Sequence, residues 1–278
     1  MKTRVLLISL SVLLLLPSFI RKDINGVPEY NKIERYNPRL GNITSVEELE
    51  AYVDNQAAQQ QISIYSEKYT ALLAYIISCR FYHGFSHFSL NENWIAALGQ
   101  KFFGYGLASK VKPEDIMQHP YAACSQQAIV MMEVLRRKNI SYRKVSFPHH
   151  YALEVKISDH WYFFDPNMEP NISLAERAHE NWNGDNDKLK KYYSAKHGNV
   201  NWEFGNKAKA TFGIINEKPA GNAQIFQSTT AFIGKILWCV PLVFVFARKR
   251  RKSLYVVKSI KHYREGNMAP VYQLKYYF

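Results

Sequence analysis

The chain has 278 residues and a mass of 32.3 kDa, and its 47% hydrophobic and 21% charged content excludes a disordered or low-complexity protein. Its three cysteines are too few for a disulfide scaffold and lack the CxxC spacing of a zinc or redox site. The net charge of +13 resides mainly in residues 1–22 and 248–278, and the nearly neutral body between them argues against a nucleic-acid partner.

The N-terminal segment 1–22 has the pattern of an export signal. An uncharged apolar run from Val5 to Ile20 follows Lys2 and Arg4. The run is long for a cleaved signal peptide and short for a spanning anchor, which needs ~20 residues, so both alternatives stay open. Residues 23–44, which contain Pro28 and Pro38 and no sustained periodicity, are predicted to form a linker.

A second apolar run near the C-terminus predicts a transmembrane helix over residues 229–247. It contains one charge, Lys235, and is followed by the sequence RKRRK at 248–252. Basic residues directly after an apolar helix favour a cytosolic position for the tail 248–278, where they would contact anionic lipid. The domain is then extracytoplasmic, either periplasmic or extracellular. The alternative is a buried helix of a soluble domain.

Residues 45–225 are predicted to form a single α+β domain. Helical patterns cover 62–80, 91–103 and 123–138, and the last has an apolar middle that indicates a buried helix. Asn139 is a candidate left-handed cap at its end. Three short segments rich in β-branched and aromatic residues follow, at 140–147, 151–157 and 161–164. A buried helix followed by an antiparallel sheet is an α+β arrangement.

Three residues in this region form a candidate catalytic set. Cys124 lies in the first turn of the buried helix, where the helix dipole favours a thiolate. His150 opens the second strand and Asp165 closes the third. In an antiparallel hairpin the start of one strand lies beside the end of its partner, so the imidazole and the carboxylate are expected at the same end of the sheet. Cysteine, histidine and aspartate together are typical of nucleophilic catalysis.

The order and surroundings of these residues resemble the transglutaminase-like superfamily, which has a papain-like core. The resemblance covers roughly 121–166, in the sequences YAACSQQAIVMMEVLRRKNISYRKV and HYALEVKISDHWYFFDP. It implies that Cys124 is the nucleophile, His150 the base and Asp165 its orienting partner. It also implies acyl transfer at amide bonds of a protein or peptide, by hydrolysis or by crosslinking, and no cofactor.

Departures from the family pattern keep a second function open. Ala122 and Ala123 replace a glycine-containing approach to the cysteine, Ser125 replaces a frequent aromatic residue, and Ala152 stands where many members have tryptophan. The alternative is a catalytically inactive domain that serves as a binding or assembly module. Gln118, six residues before Cys124, is a candidate second oxyanion donor through its side-chain amide.

Other interpretations of the same residues also remain open. His149 is the alternative base if the strand begins one residue earlier. A Cys79–Cys124 disulfide is an alternative role for the cysteine in an oxidising compartment. Paired histidines at 83 and 87 and at 149 and 150 lack cysteine or carboxylate partners at zinc-ligand spacing, so no metal site is predicted.

Overall fold

The computed structural model describes residues 2–32, 34–193 and 200–247, and the predicted cytosolic tail 248–278 lies outside the described residues. The helices are α1 (Lys2–Leu15), α2 (Val46–Gln59), α3 (Glu67–Arg80), α4 (Leu90–Phe103), α5 (Pro113–Met117), α6 (Cys124–Arg137), α7 (His179–Trp182), α8 (Asn186–Lys190), α9 (Val200–Phe204), α10 (Gly221–Ile236) and α11 (Cys239–Ala247). The strands are β1 (Tyr82–His83), β2 (Tyr121–Ala122), β3 (Tyr142–Ser146), β4 (Tyr151–Ile157), β5 (His160–Phe164) and β6 (Thr211–Phe212). This mixture of helices with an antiparallel sheet confirms the predicted α+β class.

The main sheet has four antiparallel strands in the order β5-β4-β3-β6, and each of its faces covers a separate core. Alternate residues of a strand point to opposite faces. Leu153, Val155 and Phe164 therefore pack against α2, α3 and α6, while Ala152 and Phe163 pack against an aromatic layer from α7 and α9. The sheet consequently lies between α6 on one side and the segment after residue 165 on the other.

The β4–β5 hairpin fixes which residues meet at its open end. Ser158 and Asp159 form a two-residue turn with φ of 48° and 69°. Two positive φ values are the mark of a tight hairpin turn whose twist matches that of the strands. The resulting register pairs Leu153 with Phe164, so Asp165 lies opposite Ala152, two residues after His150 on β4.

Helix α6 is buried because its middle is apolar on nearly every side, as the sequence predicts. The residues from Gln126 to Met132 are all buried, and α6 contacts β4, α2, α3 and α5. Asn139 adopts φ of 56° directly after the helix, in agreement with the predicted left-handed cap. The chain then turns back into β3 beneath the helix.

Several residues of the predicted linker 23–44 pack against the domain. Leu40 is buried in the main core, the Asn37 N–H donates to the Cys79 carbonyl (2.7 Å), and the Tyr36 ring contacts Tyr82. The prediction rested on the lack of helical or strand periodicity. A loop can still bury single aromatic and aliphatic side chains, and periodicity does not detect them.

The predicted transmembrane segment 229–247 is divided between two helices. The helix α10 begins earlier, at Gly221, and is separated from α11 by Leu237 and Trp238, with a bend of 45°. Pro241 explains the break, because it has no N–H for the Leu237 carbonyl and its ring clashes with that carbonyl. The segment Lys2–Phe19 is long and apolar enough to cross a membrane, and α10 with α11 passes the same test only as a bent pair.

Helix α4 packs between the N-terminal apolar segment and α10. The carbonyls of Ile20 and Lys22 accept hydrogen bonds from the N–H groups of Asn91 and Leu90, both at 3.1 Å. On the other side, the Asn93 amide donates to the Thr230 hydroxyl (2.9 Å) of α10. A Cβ at position 234 would meet the Trp94 ring at 3.1 Å, so glycine permits this close approach of α10 to α4.

Candidate active site

Cys124 is the first residue of α6 and is half-buried. Its predecessor Ala123 is extended, with φ of −69° and ψ of 163°. The Ala123 N–H donates to Oε1 of Gln126 (3.1 Å), whereas no acceptor among the described residues contacts the N–H groups of Cys124 and Ser125. The sulfur therefore lies where a helix N-terminus presents free donors and stabilises negative charge.

Gln126 anchors this helix start to two loops. Its Nε2 donates to the carbonyls of Ser86 (2.9 Å) and Lys110 (2.8 Å), and its Oε1 also accepts from the Ser86 N–H (2.9 Å). The residue is only 2% exposed. One buried amide thus uses all its donors and at least two acceptor positions to fix the approach to Cys124.

His150 lies at the end of a tight turn between β3 and β4. The Phe147 N–H donates to its carbonyl (2.9 Å), which places the imidazole at the end of the sheet nearest Cys124. The rings of Phe147 and Phe204 contact the imidazole at centroid distances of 6.1 and 5.5 Å. The residue is 1% exposed, so solvent has almost no access to its side chain.

Asp165 directly follows β5 and is completely buried. Its Oδ2 lies 2.7 Å from Nε2 of His150 and accepts a hydrogen bond from the Tyr193 hydroxyl at 2.8 Å. Its Oδ1 accepts from the N–H groups of Asn167 and Met168, both at 3.0 Å. Burial opposes its ionisation, but the charge of His150 and these hydrogen bonds outweigh burial and lower the pKa of Asp165.

The His150 ring also lies close enough to Cys124 for the two side chains to interact. Because Nε2 faces Asp165, Nδ1 is the nitrogen left for the sulfur. Burial alone would lower the pKa of His150, but the charge and hydrogen bond of Asp165, followed by those of Cys124, raise this pKa to about 10. The imidazole is therefore positively charged at neutral pH and lies between two groups that carry or can carry negative charge.

The structure brings Cys124, His150 and Asp165 together but leaves the other two candidates elsewhere. Gln118 is exposed after α5, and its Nε2 donates to the Thr44 carbonyl (2.8 Å), so this amide is engaged away from the three residues. His149 stacks on Trp202 at 4.2 Å with an interplanar angle of 7°. Neither side chain contacts the cysteine.

A second layer behind Asp165 was not identified from the sequence. Glu169 accepts the Asp165 N–H (3.0 Å) and forms a buried ion pair with Arg177, whose Nη1 donates to the Phe163 carbonyl (3.0 Å). Burial, opposed by Arg177, raises the pKa of Glu169 to about 7. Its position four residues after Asp165 is a local signal that could have indicated it.

Two further groups near the site come from distant parts of the chain. Tyr193 belongs to a polar, Asn- and Lys-rich stretch with no motif that singles it out. His83 reaches the site through the parallel pairing of β1 with β2, which aligns it with Ala122. Its ring interacts with the side chains of Asn167, His150 and Asp165.

The described residues form neither the Cys79–Cys124 disulfide nor a metal-binding cluster. Cys79, Cys124 and Cys239 are all free thiols. Within residues 2–32, 34–193 and 200–247, no group of three or more His, Cys, Asp or Glu side chains is arranged to hold a metal ion. The chemistry available at this site is therefore that of a thiol, an imidazole and a carboxylate in hydrogen-bonded series.

Comparison of the chain with models of protein families, with curated proteins and with solved structures gives no match.

Proposed function

We propose that this protein is a membrane-anchored, extracytoplasmic cysteine enzyme with a transglutaminase-like, papain-like core, which transfers acyl groups from amide bonds of proteins or peptides. The observation that carries the proposal is the position of His150, whose Nε2 lies 2.7 Å from Oδ2 of Asp165 while the ring interacts with the Cys124 side chain. The start of α6, the turn before β4 and the end of β5 meet at this point, and each contributes one of the three residues. This arrangement is the geometry that activates a thiol nucleophile.

The acylation step follows from these positions. The Cys124 thiolate attacks the amide carbonyl carbon, and the carbonyl π electrons move to oxygen. The free N–H groups of Cys124 and Ser125 are the donors available to that oxyanion. The imidazolium of His150 gives its Nδ1 proton to the leaving nitrogen as the C–N bond breaks. An amine departs and a thioester with Cys124 remains.

The thioester is resolved by a second nucleophile. Neutral His150 takes a proton from water or from an acceptor amine, which attacks the carbonyl carbon. The C–S bond then breaks, the thiolate leaves and the imidazolium is restored. Water gives hydrolysis and an amine gives crosslinking, with Asp165 holding the ring in place throughout.

The apolar helices support a membrane location. The short turn Leu16–Phe19 that follows α1 contacts α4, and α10 contacts α4 through Thr230 and Gly234. The ends of the two apolar segments away from these contacts carry Lys2 and Arg4 in one case and are followed by RKRRK in the other. Basic residues at both far ends favour a cytosolic position for those ends, which supports an extracytoplasmic domain.

A small activated ester tests the acyl-transfer chemistry without knowledge of the substrate. The full-length chain in detergent is incubated with p-nitrophenyl acetate, and acetylation of each cysteine is followed by mass spectrometry. We expect rapid acetylation of Cys124 that depends on His150 and is absent in Cys124→Ser. Acetylation of Cys124 no faster than that of Cys79 or Cys239 would contradict the proposal and favour the catalytically inactive binding module.

A further inference from the structure

A cavity of about 310 Å³ lies beside the candidate active site. One wall is the face of α6 formed by Ser125, Ala128, Ile129 and Met132, which are spaced at one helical turn. The opposite wall consists of side chains from β3, from β4 and from the segment 214–220. The cavity therefore runs along α6, away from its N-terminus.

Two residues that line the cavity are the sequence neighbours of the reacting residues. Ser125, at one end, directly follows Cys124 and supplies one of the two free N–H groups. Tyr151, on the opposite wall, directly follows His150. A molecule whose carbonyl lies against Cys124 thus has this cavity as an adjacent space.

The lining is mainly apolar, and its size fits a large side chain. Ile129, Met132 and Tyr142 form its buried part, and Ile214 is 73% exposed at its edge. Roughly 150 Å³ of apolar cavity suffices for a benzene molecule, so this cavity accommodates an aromatic or branched side chain together with part of its main chain.

Two side chains of opposite charge line the cavity. Lys144 lies with Nζ 5.3 Å from the centroid of the Tyr151 ring, and Glu217 lies in the segment 214–220. One positive and one negative charge confer no preference for a charged side chain of either sign. They are instead suited to polar main-chain groups at the mouth of an apolar site.

We propose that this cavity binds a bulky apolar side chain of a polypeptide substrate, next to the carbonyl that Cys124 attacks. The inference rests on the proposed acyl-transfer function and specifies its substrate class. Burial of an aromatic or branched aliphatic side chain releases water from the apolar face of α6, and this favours substrates that carry such a residue beside the acyl group.

Peptidyl acyloxymethyl ketones test this preference on the full-length chain. The residue next to the electrophile is Phe, Leu, Gly or Asp, and labelling of Cys124 is measured as a second-order rate constant. We expect Phe and Leu probes to react at least about 10-fold faster than Gly or Asp probes, which corresponds to ~1.4 kcal/mol. Ile129→Trp, which fills the cavity, should remove the preference.

A second variant and a small reagent separate the possible outcomes. Ile214→Asp changes an exposed edge of the cavity and should weaken the Phe preference, whereas Ile215→Asp, the neighbouring exposed residue outside the lining, should not. Iodoacetamide is small and reacts with Cys124 without occupying the cavity. If iodoacetamide labels Cys124 at low pH while the Phe and Gly probes react at equal rates, the cavity proposal alone would be overturned. Ordinary thiol reactivity toward iodoacetamide would overturn the proposed function and, with it, this inference.

Discussion

Nε2 of His150 and Oδ2 of Asp165 lie 2.7 Å apart, with both residues at most 1% exposed. The β4–β5 register brings them together, since Asp165 lies opposite Ala152 and His150 is two residues before Ala152, on the same face. Removing either partner leaves the charge of the other less compensated in a buried site. The orientation and the charge of the imidazole therefore depend directly on the carboxylate.

The first prediction concerns the charge of Asp165. Asp165→Asn keeps the size of the side chain but removes the negative charge that raises the pKa of His150. We expect the alkylation rate of Cys124 at pH 6 to fall by at least about 10-fold, the change that one pKa unit represents. Asp159→Asn, at the exposed hairpin turn, is the matched control. An unchanged rate in Asp165→Asn would show that the carboxylate does not act on the thiol.

The second prediction concerns stability as a function of pH. The pKa of His150 is raised in the folded state to about 10, from about 6.5 in the unfolded chain. Its contribution to stability is fully present below the unfolded pKa and disappears as pH rises through about 10. Thermal unfolding of the wild type and of His150→Gln should therefore differ most near pH 6 and converge toward pH 10. A difference that grows over this range would contradict the assignment.

The third prediction concerns the amide that anchors the start of α6. Gln126→Ala leaves the buried backbone groups of Ser86, Lys110 and Ala123 without their partner. Since each unsatisfied buried group costs ~1–3 kcal/mol, we expect the free energy of unfolding to fall by about 3 kcal/mol or more. Chemical denaturation measures the loss. Gln59→Ala, at an exposed position of α2, should cost far less.

The reacting residues were predictable because their signals are local. The apolar middle of α6, the segment 151–157 and a short link after it, predicted as 158–160, are all visible within short stretches of sequence. The structure narrows this link to Ser158 and Asp159. Antiparallel pairing then requires the residues at the open end of the hairpin to be neighbours, whatever the rest of the chain does. The sequence patterns could not supply the register or the His150–Asp165 distance.

The supporting residues were not predictable because they depend on long-range packing. Tyr193 meets Asp165 from 28 positions away, and His83 arrives through a two-residue parallel pairing. The Gln118 amide is spaced like an oxyanion donor, but the start of α2 provides the Thr44 carbonyl as its acceptor. Spacing along the chain says nothing about such competing partners.

The fourth prediction concerns the N-terminal segment, for which cleavage and retention were both open. The carbonyls of Ile20 and Lys22 accept hydrogen bonds from the first residues of α4, so the segment is part of the folded protein. We expect it to be retained as a membrane anchor. Intact-mass measurement of the protein purified from membranes should show the full chain. A mature N-terminus close to residue 22 would contradict retention.

The most direct test of the account is the pH dependence of iodoacetamide labelling at Cys124 in the full-length chain, read by peptide mapping. The wild type and His149→Ala should be labelled well below the ~8.5 pKa of an ordinary thiol, and His150→Ala should lose this low-pH reactivity. These results would demonstrate a thiolate held by the His150 imidazolium. Labelling of Cys124 that rises only near pH 8.5, with or without His150, would contradict the proposed enzyme.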